Sequence, residues 1–214
     1  METEFDWNTH WAGADRESLD EMRAAGRRWV DRLATYHDEF PASLADVGCG
    51  PAFMLFGIAE RHPETELVGY DRAPSVLREN RRLAAERGLD VTFRRGVLPA
   101  FEPDRRFECV TCLATLHYVR EPERAIRRLY DAVAAGGRLI CNYPNRHTRR
   151  AYRDDPATDP DRFRPLLDGE SLLSYRRIRE TLGRDPRSFW KAVGADDWRS
   201  LGRTNPCVVV ERPP

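Results

Sequence analysis

Leu44-Ala45-Asp46-Val47-Gly48-Cys49-Gly50-Pro51-Ala52 is the stretch on which the fold turns. Its apolar start reads as a buried strand, its glycines as a tight turn, and Phe53, Met54, Phe56 and Ile58 behind it as a helix. Gly48 and Gly50 let the backbone bend sharply and approach a ligand that a Cβ would hold off. The helix after the turn directs its free N–H groups at the same place. Asp71 stands 21 residues after Gly50, at the end of the next expected strand, Glu66 to Tyr70. A carboxylate there can accept hydrogen bonds from ribose hydroxyls, or cap the helix that opens at Pro74. Turn and acid together mark a pocket for an adenosine-containing cofactor.

Outward from this stretch, strands and helices alternate, which predicts a parallel sheet covered by helices. A helix over Arg16 to Tyr36 precedes the first strand, Ser43 to Val47. A helix from Pro74 to about Gly88 follows the second. Further strands are expected at Asp90 to Arg94, Glu108 to Leu113 and Arg138 to Asn142, with a helix from Glu121 to Ala135 stopped by Gly136-Gly137. The near-continuous apolar runs of the first, fourth and fifth strands suit central positions. From Pro144 to Gly169 arginine, aspartate and proline dominate, and no regular element is expected. A helix over Ser171 to Leu182 and a terminal hairpin, Trp198 to Leu201 with Cys207 to Val210, complete the chain. The expectation is a Rossmann-like, doubly wound α/β fold: seven mostly parallel strands, a C-terminal antiparallel hairpin, and helices on both faces. One domain spans residues 1–214, with a helical cap over 1–40 and a lid insertion over 144–170.

Composition is that of a globular protein: 214 residues, 41% hydrophobic and 33% charged. Basic and acidic residues balance at 35 each, so the formal net charge is zero. This lacks the basic excess of a nucleic-acid or membrane-surface binder, and neither partner is expected. No apolar run approaches the roughly 20 residues of a membrane span. Met1 to Trp11 lacks a signal peptide's basic and apolar blocks, so the expected location is cytoplasmic. Cys109 and Cys112 form a CxxC, but inside a strand they point to opposite faces, and no second ligand pair accompanies them. No metal site is expected. His37 and His147 read as surface residues.

The glycine turn is not a dinucleotide fingerprint, because Phe53 occupies the position of the third glycine. It resembles the first motif of the class I (Rossmann-like) S-adenosylmethionine-dependent methyltransferases, with the acid ahead of the turn standing two residues before Gly48, at Asp46, rather than three. The resemblance runs from Asp46 to about Leu139. Val68-Gly69-Tyr70-Asp71 is similar to the family's second-strand motif. Phe107-Glu108-Cys109-Val110 with Leu116-His117-Tyr118-Val119 resembles its fourth strand and loop. Ala134 to Ile140 resembles the turn into its fifth strand. The nearest flavour is the small-molecule group that includes the ubiquinone and menaquinone biosynthesis enzymes. The resemblance implies S-adenosylmethionine as cofactor and a small molecule as methyl acceptor. It places Asp46, Gly48, Cys49, Gly50, Asp71, Arg72, Gly96, Val97 and Leu113 around the cofactor. At Gly96-Val97-Leu98-Pro99 the sequence departs from the pattern, for Val97 replaces an acid that reaches adenine; backbone groups there would serve instead.

Candidates for chemistry are His117 and Tyr143, at the ends of the fourth and fifth strands, where a base beside the transferable methyl would stand. Arg146, Arg149, Arg150, Arg153, Arg162 and Arg164 alternate with Asp154, Asp155, Asp159 and Asp161, a pattern of self-neutralised, solvated charge. Two other readings stay open here: a non-catalytic subunit that binds the same cofactor, and a nicotinamide-dependent oxidoreductase. Phe53 opposes the second, as does Lys191, the lone lysine, which lacks a Tyr-x-x-x-Lys partner.

Overall fold

The computed structural model describes residues 4–214; Met1, Glu2 and Thr3 of the expected N-terminal cap, and the side chain of Trp198, lie outside the described residues. The chain divides into two compact units, one ending at Val97 and one beginning at Leu98.

The first unit opens on a short helix that polar, aromatic-studded text does not announce, α1 (Trp7–Ala12). Asp6 caps it by accepting from the N–H groups of Asn8 and Thr9. The second helix, α2 (Arg16–Tyr36), has the expected bounds; Asp15 caps it, and Gly26, Val30 and Leu33 are buried. Then come β1 (Ser43–Val47), α3 (Phe53–Arg61), β2 (Glu66–Asp71), α4 (Pro74–Arg87) and β3 (Thr92–Arg95). Proline in the first turn and left-handed Gly88 beyond the last bound α4, as expected. A Cβ on Gly26 would stand 2.9 Å from that of Phe53, so its absence lets α2 lie close on α3. The strands pair in parallel, Ser43 with Glu66 through Val47 with Tyr70, and Val68 with Thr92 through Asp71 with Arg95. His37 is a correction: it is buried, with its ring 5.1 Å from Tyr36 and 5.6 Å from Phe40.

The second unit holds β4 (Phe107–Cys112), a 3-10 turn (Leu116–Tyr118), α5 (Pro122–Asp131), β5 (Val133–Asn142), α6 (Arg146–Asp154), α7 (Arg164–Asp168), α8 (Tyr175–Leu182), β6 (Arg187–Ser188), α9 (Phe189–Ala192), α10 (Trp198–Thr204) and β7 (Cys207–Glu211). The glycine pair is not a helix stop. α5 ends at Asp131, and β5 runs through Gly136 and Gly137 with a register shift against β4. A Cβ on Gly137 would meet the Glu108 carbonyl at 2.6 Å, so the glycine makes a bulge where two backbones touch.

The stretch after Pro144 is also more ordered than expected. Asn145 forms a capping box with Thr148 and starts α6, whose Arg146, Arg150 and Arg153 are exposed while Thr148 is buried. The next helix begins at Tyr175 instead of Ser171, because the Ser174 side chain caps it. At the C-terminus the antiparallel strands are present, but Trp198 to Leu201 belongs to a helix. The antiparallel partners of β7 are β5, with Arg138 opposite Glu211, and the two-residue β6, with Arg187 opposite Val209. Strand order is β3-β2-β1-β4-β5-β7-β6 in a seven-stranded sheet; β1–β2, β2–β3 and β4–β5 pair in parallel, and β7 is antiparallel to β5 and β6. This is the Rossmann-like fold expected of the sequence. No helix among the described residues is long and apolar enough to cross a membrane. All five cysteines are free and buried, and no metal-binding cluster occurs among the described residues.

Candidate active site

In the first unit the turn from β1 to α3 carries three left-handed residues: Gly48 (φ 82°), Gly50 (φ 47°) and Ala52 (φ 55°). The N–H groups of Gly48 and Cys49 both donate to the Tyr70 carbonyl, at 2.7 and 3.0 Å, which pins the turn to the end of β2. Asp71 then binds it a second time. Its Oδ2 accepts from Gly50 N–H and its Oδ1 from Ala73 N–H, each at 2.9 Å. From α4, Asn80 donates to the Gly50 carbonyl at 2.8 Å, while its Oδ1 is buried without a partner. Burial pushes the Asp71 carboxyl up, and the backbone donors and Arg72 pull it back. Burial also pushes the Cys49 thiol well up, reinforced by Asp71 and Asp46, so it is a neutral wall and no nucleophile.

Arg72 pairs with Glu4, and Gly96 N–H donates to the Asp71 carbonyl at 3.0 Å. Asp46 is buried; Gly96 and Val97 are half-buried. Trp11 is not among the site residues expected from the sequence. A Cβ on Gly50 would stand 3.2 Å from its indole, and α1 is held there by hydrogen bonds between Asn8 and Ser75. A trace of it existed in the aromatic spacing of Phe5, Trp7 and Trp11, which polar neighbours obscure. The donor set fits an adenosyl sulfonium: a turn whose glycine cannot carry a Cβ, a strand-end carboxylate with lone pairs to spare, and an indole suited to a cation.

In the second unit Leu113 and Ala114 leave β4. Ala114 has φ 53°, and its N–H donates to Asn142 Oδ1 at 2.7 Å. The 3-10 turn that follows buries Leu116 and His117. His117 is 5% exposed, its Nδ1 has no hydrogen-bond partner, and burial pushes its pKa down to about 4. Its ring centroid lies 5.9 Å from that of Tyr152; Phe163 lies 4.6 Å from Tyr152 and 5.1 Å from Tyr118. Arg162 donates to the Tyr118 hydroxyl at 3.3 Å. Tyr143 faces other surroundings: it lines a cavity of about 350 Å³ with Tyr175, Lys191, Arg203, Pro206 and Cys207, and burial pushes its hydroxyl up to about 12. His117 is absent from that lining.

Residues 45–139 match the methyltransferase domain family, a span from β1 into β5 that contains all nine expected cofactor residues and His117 but not Tyr143. The demethylmenaquinone methyltransferase of Thermus thermophilus is 35% identical over 118 residues, which cover 54% of this chain and 54% of that protein. The ubiquinone biosynthesis O-methyltransferase of Pseudomonas entomophila is 29% identical over 157 residues, covering 64% and 67% respectively. The chain therefore matches about half the length of the Thermus relative. The fold is that of the plantazolicin methyltransferase BpumL, solved in complex with SAH (S-adenosylhomocysteine), with a TM-score of 0.64 at 12% identity over 96% of this chain and 93% of that one. Motifs, domain match, relatives and strand order agree: residues 45–139 match a methyltransferase domain, and the chain is similar to class I S-adenosylmethionine-dependent methyltransferases.

Proposed function

We propose that this chain transfers the methyl group of S-adenosylmethionine to a small molecule, with Asp46, the Gly48–Gly50 turn and Asp71 holding the cofactor and the ring cluster around His117 receiving the acceptor. The observation that carries the reading is the bond from Gly50 N–H to Asp71 Oδ2, which fixes turn and acid as one unit. When bound, the cofactor supplies a methyl group already activated by its sulfonium, so the protein's task is alignment and exclusion of water.

Gly50 presents backbone with no Cβ, and Trp11 closes that face. Asp71 keeps lone pairs for ribose hydroxyls, while Gly96 and Val97 offer backbone where the family's adenine acid is missing. His117, neutral at physiological pH because burial disfavours its charged form, can hold the proton of a hydroxyl or amine acceptor or orient its lone pair. Tyr143 would act on an acceptor group that reaches its own cavity. Residues 144–170, with α6 and α7, serve as the cover of the acceptor site, and the balanced charge and buried free thiols suit a cytoplasmic enzyme.

The test is S-adenosylhomocysteine release from S-adenosylmethionine on incubation with fractionated metabolite extracts, beside calorimetric titration with S-adenosylhomocysteine and NAD. Binding of the first alone, with release in at least one fraction, is expected. Binding without release in any fraction would favour a non-catalytic subunit, and binding of NAD alone an oxidoreductase.

A further inference from the structure

Among the arginines of residues 144–170, Arg162 is the one with ring contacts and a buried, unpartnered Nε among the described residues. Arg150 pairs with Asp154 and Arg164 with Asp161, both at the surface. Arg162 is half-buried, and its guanidinium carbon lies 4.7 Å from the centre of the Phe163 ring and 5.9 Å from that of Tyr118. Its side chain donates to a neutral acceptor, the Tyr118 hydroxyl at 3.3 Å, while Asp159 is engaged by the backbone N–H groups of Asp161 and Arg162. Its Nε is buried with no hydrogen-bond partner. A second orphan belongs to the same cluster: Nδ1 of His117, whose ring neighbours Tyr118 and Tyr152. Withdrawing a cation or polar group from water without a partner is costly, and such groups are ordinarily satisfied by an opposite charge or a hydrogen bond. A guanidinium fork matches a carboxylate in geometry, and the Tyr118, Tyr152 and Phe163 rings offer faces to a flat conjugated system.

We propose that this cluster binds a planar aryl or conjugated carboxylate, its carboxylate on Arg162 and its flat body on the tyrosine and phenylalanine rings, with Arg162 as the residue that selects for the anion. The inference rests on the methyltransferase reading only in making this ligand the methyl acceptor. Arg162 would anchor the acceptor and leave its attacking atom to be set by the rest of the molecule; His117 Nδ1 suits a hydroxyl or carbonyl elsewhere on it.

Three probes separate the two halves of the claim: trans-cinnamate carries ring and anion, cinnamamide the ring alone, and acetate the anion alone. Affinities are measured calorimetrically on the whole chain, wild type and the variants Arg162→Gln, Arg162→Lys and Phe163→Leu. Cinnamate should bind the wild type about tenfold or more tighter than either partial probe, the factor that corresponds to one hydrogen bond to a charged group. Arg162→Gln should bring cinnamate to the level of cinnamamide. Arg162→Lys should fall between, having charge without the fork, and Phe163→Leu should weaken both ring probes alike. Titration with S-adenosylhomocysteine accompanies each variant, as a check on folding and on the cofactor half. Equal binding of cinnamate and cinnamamide by the wild type would overturn the proposal. So would no cinnamate binding at millimolar concentration, or an Arg162→Gln variant that keeps the preference. A protein that binds S-adenosylhomocysteine yet fails these tests loses the acceptor assignment alone; one that binds no S-adenosyl compound loses the methyltransferase reading.

Discussion

Asp71 shows how one side chain holds two tasks that the sequence presents as alternatives. As a ribose acceptor it belongs to the ligand; as a cap it belongs to α4. Here its two oxygens accept from Gly50 and Ala73, so it ties the glycine turn to the start of α4. Asp71→Ala would leave two buried N–H donors without partners, at roughly 1–3 kcal/mol each. The variant should therefore lose both fold stability and affinity for S-adenosylhomocysteine, while Asp71→Asn, which keeps one acceptor oxygen, falls between. Denaturant unfolding and calorimetric titration check this; an alanine variant of unchanged stability would show that the acid supports nothing but the ligand. His117 makes a second prediction. Burial pushes its imidazole down to about 4 from the ordinary 6.5. Between those values the unfolded chain holds a proton that the folded chain does not. The contribution is thus complete above about pH 6.5 and is lost as pH falls through about 4, by up to about 3 kcal/mol. From pH 7 to pH 5 the wild type should lose roughly 2 kcal/mol more stability than His117→Gln. Parallel losses would mean that the ring is hydrated in the folded state.

Among elements, the segment after Pro144 departs furthest from its text. Its arginines and aspartates read as a solvated loop, yet α6 is anchored at both ends of its first turn: Asn145 caps it, and Thr148 donates to the Thr204 carbonyl of α10 at 2.7 Å. Arg149 then donates to the Leu167 carbonyl at 2.8 Å, holding α6 against α7. Between them, residues 155–161 form a largely exposed turn. Hydrogen-bonded, partly buried backbone resists proteases and an exposed turn does not. Limited digestion with an Asp-specific endoprotease should therefore cut first in that turn and spare α6 and α7. If the segment covers the acceptor, S-adenosylhomocysteine with an acceptor should slow the cut severalfold. Early cleavage inside α6 would show that the helix opens freely, and a rate indifferent to ligand would remove the cover role. α1 illustrates the same point at smaller scale. Asp6 and the Asn8–Ser75 bonds hold it, and neither leaves an apolar period to read.

For the whole molecule, what can be read from sequence follows from where burial is continuous. From Ser43 to Asn142 the strands β1, β2 and β4 are largely buried apolar runs and α4 has a proline and a glycine at its bounds, so order and type of elements are legible, and the cofactor residues with them. The glycine pair misleads because a bulge and a helix stop both call for glycine; only the closeness of the Glu108 carbonyl separates them. The two-residue β6 is illegible since its pairing is chosen by β7, a partner distant in sequence. The ring cluster is likewise assembled from His117, Tyr152 and Phe163, which no local period links. The domain match also stops at residue 139, so the legible portion is the one that holds the expected cofactor residues. That division sets the last prediction. A ligand that binds only the folded state stabilises it by mass action, about 2.7 kcal/mol at a hundredfold excess over its dissociation constant. For a chain of this size each kcal/mol raises the melting temperature by roughly 2–4 °C, so S-adenosylmethionine or S-adenosylhomocysteine should raise it by roughly 5–11 °C at that excess. Gly50→Ala should abolish the shift, because the added Cβ meets the Trp11 indole at 3.2 Å and the position needs φ near 47°. NAD should leave the wild-type melting temperature unchanged. A Gly50→Ala variant that melts like the wild type and keeps the full ligand shift would place the cofactor somewhere other than this turn.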